Sequence, residues 1–161
     1  MKIATQGGDG KVAFASESVR ITCTNAFSAG DVVKLTLGAD GTYAACESTG
    51  ATDDVVLTAF GVALDDVSAG NVGRIGLRGV FTVKASADVV AGNALTIDDG
   101  VVGSLHEIAA VDTSSAALNE YSRVLGIALT ADGATAAGTG KAIVQFDGVA
   151  ATFIPSKAQA D

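Results

Sequence analysis

The chain has 161 residues, room for one ordinary domain, with 48% apolar residues but only 5% aromatic, no Trp, 20 Gly and a single Pro. Its formal net charge of −8 argues against nucleic-acid binding, whose affinity comes largely from basic side chains on phosphates, and against docking on an anionic membrane. Two Cys are too few for a disulfide framework or a four-ligand zinc site, and no apolar run approaches the roughly 20 residues of a membrane helix.

Residues 1–18 are expected to form an N-terminal arm without a secretory signal core, consistent with synthesis and folding in a cytoplasm, where Cys23 and Cys46 stay thiols. Gly7-Gly8-Asp9-Gly10-Lys11 has a faint phosphate-loop look. The first Gly of that spacing would fall at Thr5, however, and Val12 stands where Ser or Thr is needed, so the segment reads as a turn. The arm carries Ile3, Val12 and Phe14, and is either loose or a strap for a neighbouring molecule.

Residues 19–149 read as a β domain with period-two alternation. Ile21 and Cys23 share a face; Val33, Leu35 and Leu37 lie opposite Lys34 and Thr36. Asp40-Gly41 marks a hairpin, since Gly accepts the positive φ of tight primed turns. The stretch from Glu47 to Asp54 reads as loop. Ile75, Leu77, Phe81 and Val83 form one face, with Arg74, Arg78 and Thr82 on the other. Asp99-Gly100 and Asp132-Gly133 are further turns, and Asp112 is placed to cap a short helix over 113–121, the one helical candidate. Val144 and Phe146 lie opposite Gln145 and Asp147. Residues 150–161 form a C-terminal tail carrying Phe153 and Ile154.

Within 19–149 the chain repeats itself, as about 19–80 and 81–149. Ala29-Gly30 matches Ala91-Gly92 at an offset of 62; Phe60-Gly61-Val62-Ala63-Leu64 matches Leu125-Gly126-Ile127-Ala128-Leu129 at 65; Ile75 to Val80 matches Val144 to Val149 at 69. The order is kept and the offset grows in small steps, as it would if loops lengthened between fixed strands. The expected architecture is therefore mainly all-β: a small β-barrel or β-sandwich of two similar strand-rich halves. A core built largely of Ala and Val buries less area per residue, at about 25 cal/mol per Å², so an oligomer interface is expected.

Candidate chemistry is sparse. The lone His106 has no Ser or Cys partner motif, and there is no Gly-x-Ser-x-Gly elbow. The pairs Asp53-Asp54, Asp65-Asp66 and Asp98-Asp99 fit no EF-hand spacing and read as turn residues. No catalytic residue, metal ligand or cofactor site is assigned, and the chain is not expected to be an enzyme. Arg74 and Arg78 either meet acidic groups of a partner or pair with carboxylates of their own fold.

The pattern Gly61-Val62-Ala63-Leu64, then Ala69-Gly70, then Arg78-Gly79-Val80-Phe81, then Ala91-Gly92-Asn93-Ala94-Leu95 resembles the small, acidic, Ala/Gly/Val-rich capsid cement or decoration proteins of tailed bacteriophages, over roughly residues 27–100. The resemblance implies a β-barrel or β-sandwich body bound to the exterior of the expanded head. It implies the major capsid protein as partner and homotrimers at three-fold positions. Ile3, Val12, Phe14, Arg74, Arg78, Phe153 and Ile154 are then the candidate capsid or subunit contacts, and deleting residues 1–14 is expected to weaken attachment while sparing the fold. The alternative is an adhesion or carbohydrate-binding module of a fibre or cell surface. Sugar sites usually stack their ligand on exposed aromatics, and this chain offers only Tyr43 and Tyr121 besides Phe.

Overall fold

Short runs rich in Val, Ile, Thr and Phe, punctuated by Gly and Asp, have little choice but to form strands. The computed structural model describes residues 12–50, 58–85, 89–98, 100–108, 121–131, 140–149 and 153–155, with only the backbone at 12–16, 121–123 and 153–155. The strands run in order β1 (Val12–Cys23), β2 (Val32–Leu37), β3 (Tyr43–Ser48), β4 (Ala59–Ala63), β5 (Val72–Ala85), β6 (Ala94–Ile97), β7 (Leu105–Glu107), β8 (Tyr121–Arg123), β9 (Gly126–Ala128), β10 (Gly140–Asp147) and β11 (Phe153–Pro155). The fold is all-β, as its alternation predicts.

The first five strands close a barrel in the order β1-β3-β2-β4-β5 and back to β1. Every ladder is antiparallel except the parallel β1–β3 seam. The same pairing order then recurs. The end of β5 pairs in parallel with β7, and β7-β6-β9-β10 return antiparallel to β5. The 14-residue β5 thus belongs to both rings. β8 and β11 form a separate two-stranded ribbon.

The rings also match in register. Cys23↔Cys46 corresponds to Ala85↔Leu105, Val33↔Gly61 to Leu95↔Gly126, Ala63↔Ile75 to Ala128↔Val144, and Ile21↔Gly73 to Val83↔Ala142. Gly30 and Gly92, 62 residues apart, hold the same left-handed turn with φ of 98° and 94°, a conformation in which a Cβ is strained.

Each ring has its own interior. Ile21, Cys23, Val33, Leu35, Cys46, Ala63, Ile75 and Leu77 fill the first. Phe81, Val83, Leu95, Ile97, Leu105, Ala128, Val144 and Phe146 fill the second, where Phe81 and Phe146 meet edge to face with centroids 6.1 Å apart. Val32, Phe60, Val62 and Leu64 project from the first ring into this second cluster. β4 is therefore apolar on both sides: Ala63 faces its own barrel while Phe60 and Val62 pack on the next one. Two glycines make the close approach possible. A Cβ at Gly76 would lie 2.6 Å from Phe81 Cζ, and one at Gly148 would run into the Phe60 carbonyl oxygen.

Several sequence expectations change. The boundary drawn at 18/19 falls inside β1: Val12–Ser18 are not a free arm but pair with β5, from Val12↔Phe81 to Ser18↔Gly76. The boundary at 80/81 falls inside β5, which crosses it without a break. Ile75 and Leu77 share a face with Phe81 and Val83, but the two pairs enter different cores. Leu37 is exposed rather than buried, because a register shift between Thr36 and Leu37 ends the alternation. The Asp40-Gly41 hairpin joins β2 to β3, with the Thr42 amide donating to Asp40 Oδ1. Most of the expected helix, 113–120, lies outside the described residues, and Tyr121 opens β8 instead. The turn at Asp132-Gly133 and the phosphate-loop-like stretch 7–11 also lie outside them.

Candidate interaction surface

The charged candidates lie on the outer side of β5. Arg74 grips Asp65 bidentately, Nε to Oδ2 at 2.7 Å and Nη2 to Oδ1 at 2.6 Å. The geometry is the planar fork that guanidinium offers a carboxylate. Those hydrogen bonds hold the Asp65 carboxyl below its usual range against the opposing effect of burial, with Arg20, the register partner of Arg74, adding to the pull. Arg78 sits between its two register partners. Its Nε donates to Asp147 Oδ1 at 3.0 Å on β10, and its Nη1 lies 3.4 Å from Glu17 Oε2 on β1. The hydrogen bond to Asp147 raises the Arg78 guanidinium further above its usual value. Of the two readings open for these arginines, pairing within the fold is the one seen.

The other carboxylates shape turns. Asp66 accepts the Ala29 amide at 2.8 Å, tying the β1–β2 turn to the β4–β5 connection. Asp98 Oδ1 accepts the Gly100 and Val101 amides at 2.8 and 3.1 Å, so the bend expected at Asp99-Gly100 is organised one residue earlier. Asp53, Asp54 and Asp99 lie outside the described residues. Among those described, no three His, Cys, Asp or Glu side chains are placed to hold a metal ion. His106 lies in β7 opposite Thr96. No helix among the described residues is long and apolar enough to cross a membrane.

The described apolar candidates fall on two different sheets. Val12 and Phe14 belong to β1, paired through the backbone with Phe81 and Val80. Phe153 and Ile154 lie in β11 opposite Arg123 and Ser122. Ile3 lies outside the described residues.

Sequence reasoning missed a more coherent surface on the second ring. Ile127 on β9 and Leu129 just beyond it are 46% and 47% exposed. Ile127 is register partner to half-buried Ala94 on β6 and to Gln145 on β10. The Leu129 amide donates to the carbonyl of half-buried Ile143 at 2.7 Å. This face has a counterpart in the first ring, because Ile127 and Leu129 stand 65 residues after Val62 and Leu64. Those two are buried, to 1% and 8%, against the second core. Positions that dock the first barrel on the second are thus also apolar, but exposed, in the second barrel's own copy. The repeat alignment contained that signal, but the fate of the first copy had to be seen before the second copy's exposure acquired meaning.

No protein-family profile and no curated protein sequence matches the chain. Among solved structures it is similar to the N base of the head fibre gp8.5 of bacteriophage phi29, with 20% sequence identity, a TM-score of 0.49, and coverage of 80% of this chain and 92% of that one.

Proposed function

We propose that this chain is a structural protein of a tailed-phage virion that binds the outside of the expanded capsid and stabilises it, rather than an enzyme. The observation that carries the reading is the apolar face of Ile127, Leu129 and Ala94, whose counterparts in the first ring make the packing surface between the two barrels of this chain. Two further points support it. The all-β body is the one implied by the resemblance to decoration proteins, and quoted motif residues occupy its structural joints: Gly61 to Leu64 between the two cores, and Ala91-Gly92 at a left-handed turn.

In this reading the chain is made in the host cytoplasm, assembles as a homotrimer at three-fold positions of the capsid exterior, and contacts the major capsid protein. It requires no cofactor, nucleic acid or membrane. A protein that binds the expanded shell and not its precursor shifts the equilibrium toward expansion by mass action, and many weak contacts on one particle add through multivalency. The net charge of −8 keeps a densely decorated surface soluble.

Co-sedimentation of the purified protein with expanded heads and with unexpanded procapsids tests this. Saturable binding to expanded heads alone is expected, and Ile127→Asp should reduce it at least tenfold while leaving the circular dichroism spectrum unchanged. Absence of binding to either particle would refute the proposal. Retention on immobilised glycans would then favour the adhesion-module reading.

A further inference from the structure

Cys23 ends β1 and Cys46 lies in β3, and the two are direct partners across the parallel seam that closes the first barrel. That seam holds by two register pairs, Thr22↔Ala45 and Cys23↔Cys46. Both cysteines are fully buried. The Cys46 thiol donates to Cys23 Sγ across 3.1 Å, and the Cys23 thiol turns to the Ile21 carbonyl at 3.8 Å. Neighbouring strands run about 4.8 Å apart, inside the span of roughly 4.4–6.8 Å that a disulfide bridges between Cα atoms. The bond therefore requires the sulfurs to close by about 1 Å, to the usual 2.05 Å or so, with no rearrangement of the strands. At the equivalent place the second ring pairs Ala85 with Leu105, so it carries no such thiol pair.

We propose that Cys23 and Cys46 are a latent disulfide that fastens β1 to β3 when the protein meets a hydroperoxide. In the first step one sulfur, as thiolate, attacks a peroxide oxygen; the O–O bond breaks, the thiol becomes a sulfenic acid and water leaves. In the second step the other sulfur attacks the sulfenic sulfur and expels hydroxide, which takes up the remaining thiol proton. Two thiols and one hydrogen peroxide thus give one disulfide and two waters. The barrel controls the timing. Burial, the main cause, together with the neighbouring Cys23, pushes the Cys46 thiol well above its usual range, so thiolate forms mainly when the seam opens. Once made, the bond meets an external thiol only when the seam opens, so burial slows its reduction without blocking it. It closes a loop between residues 23 positions apart and restricts the unfolded chain accordingly. If the virion role proposed above holds, the thiol form belongs to the host cytoplasm and the latched form to the released particle. The latch itself does not depend on that role.

The full-length protein, purified in dithiothreitol and freed of it, is incubated with hydrogen peroxide and examined by intact mass and by non-reducing peptide mapping. The expected result is loss of two hydrogens, a single peptide joining Cys23 to Cys46, and a guanidinium midpoint that rises and falls back when dithiothreitol is restored. Cys23→Ala should show neither the joined peptide nor the reversible shift. Intact thiols after prolonged peroxide treatment, sulfinic acids without a joined peptide, or a joined peptide with a lowered midpoint would each overturn the proposal. The comparison of oxidised and reduced wild-type protein decides the matter even if the variant fails to fold.

Discussion

At the scale of single residues, the strongest constraints are those where a side chain has no alternative place. Leu77 and Phe146 stand 69 residues apart in sequence and occupy matching positions in the two interiors, both almost wholly buried. Truncating either to Ala should cost about 2–5 kcal/mol, the range for removing large core side chains. Guanidinium unfolding checks this, and unchanged midpoints would refute the strand facing. The Arg74–Asp65 pair is a subtler case. A carboxyl whose folded pKa is depressed stabilises the fold above its ordinary value of 3.8, and that contribution is lost as pH falls through the folded value. Asp65→Asn should therefore weaken the protein at neutral pH by less than about 1 kcal/mol, because both side chains are more than a third exposed. The difference should shrink toward zero in acid. Urea midpoints at neutral pH and near pH 2 test the sign, and a gap that widens in acid would contradict it. The alternation made the burial of Leu77 and Phe146 legible in the sequence. The choice of Asp65 as partner of Arg74 was not, because it depends on how the β4–β5 connection folds back.

Among the elements, β1 shows what local pattern cannot reveal. Val12 to Ser18 have weak alternation, and what holds them is β5, more than fifty residues away along the chain. The ladder comprises nine register pairs; removing residues 1–14 deletes two of them, and removing 1–18 deletes five together with the Glu17 partner of Arg78. Thermal melts should show a small loss for the shorter truncation and a large one, or failure to fold, for the longer. Equal stability of the two would mean that this half of β1 contributes nothing. β4 was legible as an apolar run but not as a strand buried on both sides, since Phe60-Gly61-Val62-Ala63-Leu64 reads the same whether one or two cores receive it. Leu37 misled because alternation carries no warning of a bulge.

For the molecule as a whole, the telling feature is that the rings share a strand. The three sequence offsets located the corresponding positions, yet an alignment must cut the chain somewhere, and its cut at 80/81 concealed that β5 runs through. Neither barrel can lose β5 without opening the other, so unfolding should be a single transition. Leu77→Ala and Phe146→Ala, one in each core, should both lower the midpoint of that one transition. Two resolved calorimetric peaks, with each variant moving only its own, would show that the rings are independent.

The shared strand also makes the architecture extensible by design. β5 passes from the first ring to the second around Gly79, where both β1 and β10 pair with it; the corresponding point in the second unit is Gly148, just past the end of β10 and 69 residues later. A further unit grafted so as to prolong β10 would reuse it as a common stave, just as β5 is used now. It would find the apolar pair Ile127 and Leu129 already where Val62 and Leu64 receive the existing neighbour. In engineering terms the described residues form a two-module tandem that repeats its docking positions in each module.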